Sequence, residues 1–213
     1  MTTETANANI LIIASSPNPT DALSTNLARR LADGVAVASK DATVVLRDVG
    51  ATPPPVLDQA TIGAMYTPED QRTPEQNAAL ALSDALIDEL EAADVIVIAA
   101  PMHNFGVTGG LKTWFDQIAR FGRTFIPTGQ GPKGLLKDRP VYVVTTRGGV
   151  YAPGTPFNHM DLQEPYIRRV LNFVGLEDIT FIYAEGTKKN DDGIKQAEAE
   201  IDVLTAGAAV RAA

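Results

Sequence analysis

An α/β fold built on a doubly wound, five-stranded parallel sheet with helices on both faces is what the sequence predicts, and three observations carry that prediction. Runs such as Ile10-Leu11-Ile12-Ile13 and Val95-Ile96-Val97-Ile98 lack polar alternation, as strands covered on both faces do. Between such runs, apolar residues recur three and four apart, the period of one helix face. The two kinds of segment alternate along the whole chain, and parallel neighbours need crossovers of about a dozen residues, which helices supply.

Residues 1–8 are small and polar and read as a flexible tail; residues 9–213 read as one domain. The first strand is Asn9–Ala14, and Leu23, Leu27, Leu31 and Val35 mark the helix after it. Thr43–Arg47 is the second strand. Pro53-Pro54-Pro55 cannot donate to a ladder, and from there to Arg72 no period is visible, so an excursion is expected. Thr73-Pro74-Glu75-Gln76 then reads as a helix start, with Thr as N-cap, Pro at N1 and Gln at N3 to close a capping box. Leu82, Leu86, Ile87 and Leu90 give that helix its apolar stripe. Asp94–Ala100 is the third strand, ended by Pro101, and a helix follows through Leu111, Trp114, Phe115 and Ile118. Val141–Thr145 is the fourth strand. Asp161 is placed to cap a helix ending at Gly175, where a left-handed residue is expected. Ile179–Ala184 is the fifth strand and Ile194–Leu204 the closing acidic amphipathic helix. Five strands favour a flavodoxin-like order, in which ligands bind beyond the carboxyl ends of the strands, where the winding reverses.

Composition narrows the chemistry. No cysteine occurs, which excludes a disulfide framework, a thiolate metal site and a nucleophilic thiol. Lys and Arg number 18 against 26 Asp and Glu, a net charge of −8 that opposes binding to nucleic acid or to anionic membrane surfaces. The N-terminus has no basic region and its apolar run is too short for a signal core or a membrane span, so a cytoplasmic protein is expected.

Three loops lie where a ligand should bind. The first, Ser15-Ser16-Pro17-Asn18-Pro19-Thr20-Asp21-Ala22-Leu23-Ser24-Thr25-Asn26, opens into a helix, whose free amides and dipole can hold a phosphate without Lys or Arg; the loop has neither. The plainer alternative is that Ser24 or Thr25 is an N-cap and the other hydroxyls are solvated. The second, Pro101-Met102-His103-Asn104-Phe105-Gly106, offers apolar rings and an amide as the wall of a pocket for a flat cofactor, against the alternative of core plugs and a surface histidine. The third, Thr146-Arg147-Gly148-Gly149, has glycines that allow close backbone approach or simply a turn.

Competing motifs fail. Gly129-Gln130-Gly131-Pro132-Lys133-Gly134 matches G-x-G-x-x-G but neither follows the first strand nor opens a helix. No phosphate-binding G-x-x-x-x-G-K-[ST] and no G-x-S-x-G elbow occurs. A receiver domain needs acidic residues where Ser15-Ser16 and Ala100-Pro101 stand, and His103 and His159 do not have metal-ligand spacing.

Over nearly its whole length the chain resembles the FMN-dependent NADH-azoreductases, also known as NAD(P)H:quinone oxidoreductases. The resemblance rests on ordered segments: Pro55-Val56-Leu57-Asp58, Ala79-Leu80-Ala81-Leu82-Ser83-Asp84, Asp94 through Phe105, Thr146-Arg147-Gly148-Gly149 and Ala184-Glu185-Gly186. It implies a homodimeric flavodoxin-like enzyme that binds FMN, takes a hydride from NADH and reduces quinones or aromatic azo compounds by a ping-pong mechanism. It also implies an FMN phosphate at Ser16, Ala22, Leu23 and Ser24, and a flavin ring along Met102, His103, Asn104 and Phe105 and along Thr146, Arg147, Gly148 and Gly149. His103 stands where the family commonly has Tyr, Thr146 where it has Ser, and Ala22-Leu23-Ser24 where it often has two hydroxyls and an amide. No side-chain nucleophile is expected; His103 is a candidate contact to the acceptor. The competing reading is a flavodoxin-like electron carrier with no NAD(P)H reaction of its own, which the extra segments Pro53–Arg72 and Pro127–Lys137 argue against.

Overall fold

A computed structural model describes residues 8–18, 20–37, 39 and 41–212; the expected tail lies outside the described residues except for Ala8. The strands and helices are β1 (Asn9–Ala14), α1 (Leu23–Val37), β2 (Thr43–Asp48), α2 (Gln59–Tyr66), α3 (Pro74–Ala92), β3 (Val95–Pro101), α4 (Gly109–Ile118), β4 (Phe125–Thr128), β5 (Gly131–Gly134), β6 (Val141–Thr146), α5 (Gln163–Val174), β7 (Ile179–Ala184) and α6 (Asp192–Ala212). The main sheet has the order β2-β1-β3-β6-β7 with every pair parallel, so the expected flavodoxin-like winding is found and its direction reverses between β1 and β3.

The aliphatic runs are two-faced. On one face Leu11, Ile13, Ile96 and Ile98 pack with α3, α4 and α5 around buried Trp114 and Phe115. On the other, Ile10, Ile12, Val97 and Val144 meet α1 and α6. The α3 start is a full capping box on Thr73 and Gln76, and Gly175 closes α5 with φ 106°, a value that glycine adopts without strain.

Five local readings are refined. Asp161 precedes the assigned first turn of α5 by two residues, yet its Oδ1 accepts from both Gln163 N (2.8 Å) and Glu164 N (3.1 Å), so it does a cap's work. Pro101 is the last residue of β3, paired with Thr146, and does not precede its end. Leu82 is exposed, and the buried stripe of α3 runs instead through Leu80, Ser83, Leu86, Ile87 and Leu90. The excursion contains α2, capped by Asp58, and the Gly129–Gly134 match falls in the β4-β5 hairpin.

At the amino edge of the sheet, Asp138 ties the entries of β6 and β7: its Oδ1 accepts from Glu177 N (2.8 Å), Asp178 N (3.2 Å) and Arg139 N (3.0 Å). The first two of these bonds hold the carboxyl below its ordinary value of 3.8. A depressed folded-state pKa stabilises the fold above the unfolded value, and that contribution fades as pH falls through the folded one. Asp138→Asn should therefore lower the thermal midpoint near neutrality and flatten its dependence on pH below 3.8, as thermal melts across an acid series would show.

Candidate functional site

Register brings the three loops to one edge. Ala14 pairs with Ala99, Pro101 with Thr146 and Thr146 with Ala184, so the residues after β1, β3, β6 and β7 leave the sheet side by side. Met102 N donates to Thr146 O and Arg147 N to Ala184 O, both at 2.9 Å, which carries the ladder one step beyond the strands.

The loop after β1 is pinned from below: Ser15 is buried and donates through Oγ to Ala99 O at 2.8 Å. Ser16 is half-buried, and its Oγ accepts from Asn18 N. Ala22 and Leu23 are half-buried and Ser24 is buried at the α1 start. The helices α2, α3 and α4 each have a side-chain cap on their amides, from Asp58, Thr73 and Thr108. At α1 the first amide with a backbone partner is Asn26 N, bonded to Ala22 O, and among the described residues no group accepts from Leu23, Ser24 or Thr25 N. Those open amides, at the positive end of a 15-residue helix with no acidic residue in its first turn, fit a phosphate.

The loop after β3 is a tight hairpin turn in which His103 and Gly106 exchange N–H···O bonds (3.0 and 2.9 Å). Its two central residues have positive φ, 47° at Asn104 and 70° at Phe105. Asn tolerates this region; for a bulky aromatic it is strained by about 1–3 kcal/mol and persists only where the surroundings enforce it. Here Leu162 N donates to Phe105 O (3.0 Å), and the Phe105 ring meets Tyr151 edge-on at 6.0 Å. Met102 is half-buried, whereas His103, Asn104 and Phe105 are exposed on the rim.

Arg147 does something that its place beside two glycines does not suggest. Its side chain is 1% exposed and turns into the protein. Nη1 reaches Glu185 Oε1 (3.2 Å), Nε donates to Gln163 Oε1 (3.3 Å), and Nη2 lies 2.9 Å from Asp161 Oδ2 without the alignment of a hydrogen bond. The guanidinium also stacks 5.0 Å from the Tyr183 ring. Tyr183 donates to Glu164 Oε2 (2.6 Å), and burial together with this bond pushes its phenol above the ordinary range. Only the backbone of Arg147 faces the edge, with that of half-buried Thr146, Gly148 and Gly149.

Two participants escaped the sequence reading. Tyr151 joins two of the loops: a Cβ on Gly149 would come within 2.6 Å of its hydroxyl, and its ring braces Phe105. Glu185 accepts from Tyr151 N at 2.7 Å while pairing with Arg147. Glu185 stood in the sequence only within the Ala184-Glu185-Gly186 segment after the fifth strand, with no role given to its side chain. Among the described residues no group of His, Asp or Glu could hold a metal ion.

Comparison with known proteins gives the family and the fold. A family model described as a flavodoxin-like fold matches residues 8–205. The FMN-dependent NADH:quinone oxidoreductase of Leptothrix cholodnii is 50% identical over 186 residues, which cover 85% of each chain. Among solved structures, an FMN-dependent NADH-azoreductase from Bacillus anthracis in complex with FMN superposes with TM-score 0.83 at 24% identity, covering 96% of this chain and 100% of that one. A second B. anthracis structure, an azoreductase, gives TM-score 0.78 at 25% identity and covers 96% and 98%.

The Arg147 network makes a direct prediction. Removing the guanidinium strands the buried carboxylates of Asp161 and Glu185, and breaking a buried pair costs about 3–5 kcal/mol. Arg147→Met should lower the urea-unfolding free energy of the FMN-free protein by that amount, whereas a loss under 1 kcal/mol, the usual scale for surface pairs, would contradict the buried-network account.

Proposed function

The chain belongs to this family of FMN-dependent NADH:quinone oxidoreductases, flavodoxin-like in fold, and we propose that the carboxyl edge of its sheet is the flavin site, used in ping-pong order. The protein is an NADH-driven FMN oxidoreductase that acts on quinones and azo compounds. FMN, when bound, supplies the redox chemistry, accepting a hydride from NADH and passing the reducing equivalents to the acceptor.

What the chain contributes is placement, and the observation that carries this reading is the uncapped start of α1. Ser16 and the amides at Ala22, Leu23 and Ser24 hold the phosphate; the helix dipole does the work of a cation. The strained turn of Met102, His103, Asn104 and Phe105 lines one side of the ring, and the segment Thr146, Arg147, Gly148 and Gly149, whose Arg147 N–H is held by Ala184 O, runs along its polar edge. Arg147 acts from behind as the anchor of that segment. His103, exposed on the rim, meets whichever small molecule enters. One rim shared by donor and acceptor makes them bind in turn, the physical basis of the ping-pong order.

A homodimer belongs to the same reading. Val56, Phe157 and Leu162 are large apolar side chains exposed on loops that follow β2 and β6, and a second copy would cover them. No described helix is long and apolar enough to cross a membrane. The net charge of −8 opposes a nucleic-acid partner, and a cytoplasmic enzyme belongs to the same reading.

The deciding experiment is release of the bound flavin by heat followed by chromatography: FMN is expected, and FAD would reject the site. A sharper test uses Ala22, the residue before α1. Ala22→Asp puts a capping carboxylate on the amides assigned to the phosphate, so it should stabilise the FMN-free fold by about 1 kcal/mol and weaken FMN at least about tenfold in a fluorescence-quenching titration. Unchanged FMN affinity would place the phosphate elsewhere. His103→Tyr should leave the rate of flavin bleaching by NADH within about twofold, since the nicotinamide needs stacking and not an acid, while it changes the relative rates of azo and quinone reduction in stopped-flow traces. Slowing confined to the NADH step would refute the role given to His103.

A further inference from the structure

A cavity of about 550 Å3 opens between α3 and the chain that follows α4, away from the flavin edge. The α4 helix begins next to that edge and runs about 15 Å back from it, so Arg120 and Arg123, beyond its last residue Ile118, stand on the far side.

Three guanidinium groups line the cavity. Arg120 is 1% exposed; Nη1 donates to Ser83 Oγ (2.8 Å) and Asp84 Oδ1 (3.1 Å), and its buried Nε has no partner among the described residues. Arg123 shares Asp84 at 3.2 Å and otherwise turns outward to exposed Asp88 and Glu91. Arg72 is half-buried and donates Nε to the Thr67 carbonyl (2.9 Å); no ion pair is formed by it among the described residues. Glu69 is the other carboxylate of the lining. The charges nearest Arg120 are therefore one carboxylate and two guanidinium groups, and burial, with Arg72 and Arg123, holds Arg120 below the ordinary arginine range against the pull of Asp84. An oxyanion between Arg72 and Arg120 would relieve this arrangement, and the guanidinium fork matches a carboxylate. Arg123 is already met by Asp84, Asp88 and Glu91, so of the lining cations it is Arg72 that forms no ion pair among the described residues, and a single ligand carboxylate would supply one. Beside these charges lies Phe121, 38% exposed and stacked on Tyr66 at 5.7 Å, an aromatic partner for a flat ring.

The geometry points to a second ligand site in this cavity, for an aromatic monocarboxylate whose charged end lies between Arg72 and Arg120 and whose ring packs on Phe121. It is separate from the flavin site and needs no redox step.

Calorimetric titration of benzoate into the FMN-loaded protein tests it. Saturable binding is expected with the flavin absorption bands unmoved, and benzamide, flat but uncharged, should bind at least about tenfold more weakly. Arg72→Gln should weaken benzoate at least about tenfold with flavin content and thermal midpoint unchanged, because Arg72 holds only a backbone carbonyl; Arg72→Lys, which keeps the charge and loses the fork, should fall between. Phe121→Ala should weaken benzoate too. No saturable binding, wild-type affinity in Arg72→Gln, or benzoate that shifts the flavin bands or is displaced by NAD+ would overturn the site.

Discussion

The buried guanidinium of Arg147 is the constraint on which the rest of the site depends. It contacts the loop before α5 through Asp161 and Gln163 and the loop after β7 through Glu185, and Gln163 goes on to donate from Nε2 to the carbonyl of Ala100 inside β3. One cation thus binds together the exits of β3, β6 and β7. Such a network is poor evidence for net stability, because desolvating its charges offsets much of their attraction, but it fixes geometry: none of its members can move without leaving a buried charge unpaired.

That rigidity is what the strained turn after β3 requires. Phe105 at positive φ would relax in a loop free to do so. It is prevented by Leu162 N on its carbonyl and by Tyr151 against its ring, and both belong to the segment that Arg147, Asp161 and Glu185 hold. Strain at the ligand edge is balanced by charge pairing one layer behind it.

The main sheet was legible in the sequence because burial on both faces leaves an unbroken aliphatic signature, as in Ile10–Ile13 and Val95–Ile98. Thr73 and Gly175 were legible because caps obey local rules. The β4-β5 hairpin was not: Gly131-Pro132-Lys133-Gly134 has none of the alternation of a half-buried strand, and neither strand is buried. Leu82 misled because Leu80 lies two positions away on a different face, and Ala79 and Ala81 do not show which face is inward. The part of Arg147 was hidden for a stronger reason. Beside Gly148-Gly149 an arginine reads as a solvated loop residue, and its partners Gln163 and Glu185 are 16 and 38 residues away, the first brought near by the start of α5 and the second by the parallel pairing of β6 with β7. The edge residues Ser16, Met102 and Thr146 were placed by register, which the strand order dictates.

Keeping the charged side chains behind the edge has a consequence for how the site can change. On the proposed site the phosphate is met by backbone amides, those of the α1 start, whose positions any side chain of suitable size preserves. A phosphate held by amides and a helix dipole needs no lysine or arginine, consistent with a loop that has none in a chain of net charge −8. On that site a substitution on the exposed rim, such as His103 in place of tyrosine, changes what a substrate meets without disturbing the frame. Substitutions at Arg147, Asp161 or Glu185 do the reverse: on the proposed site they touch no ligand, and they move the turns after β3 and β6 that do. On the proposed site, then, acceptor preference belongs to the rim and phosphate binding to the α1 start, while the buried layer fixes the turns after β3 and β6.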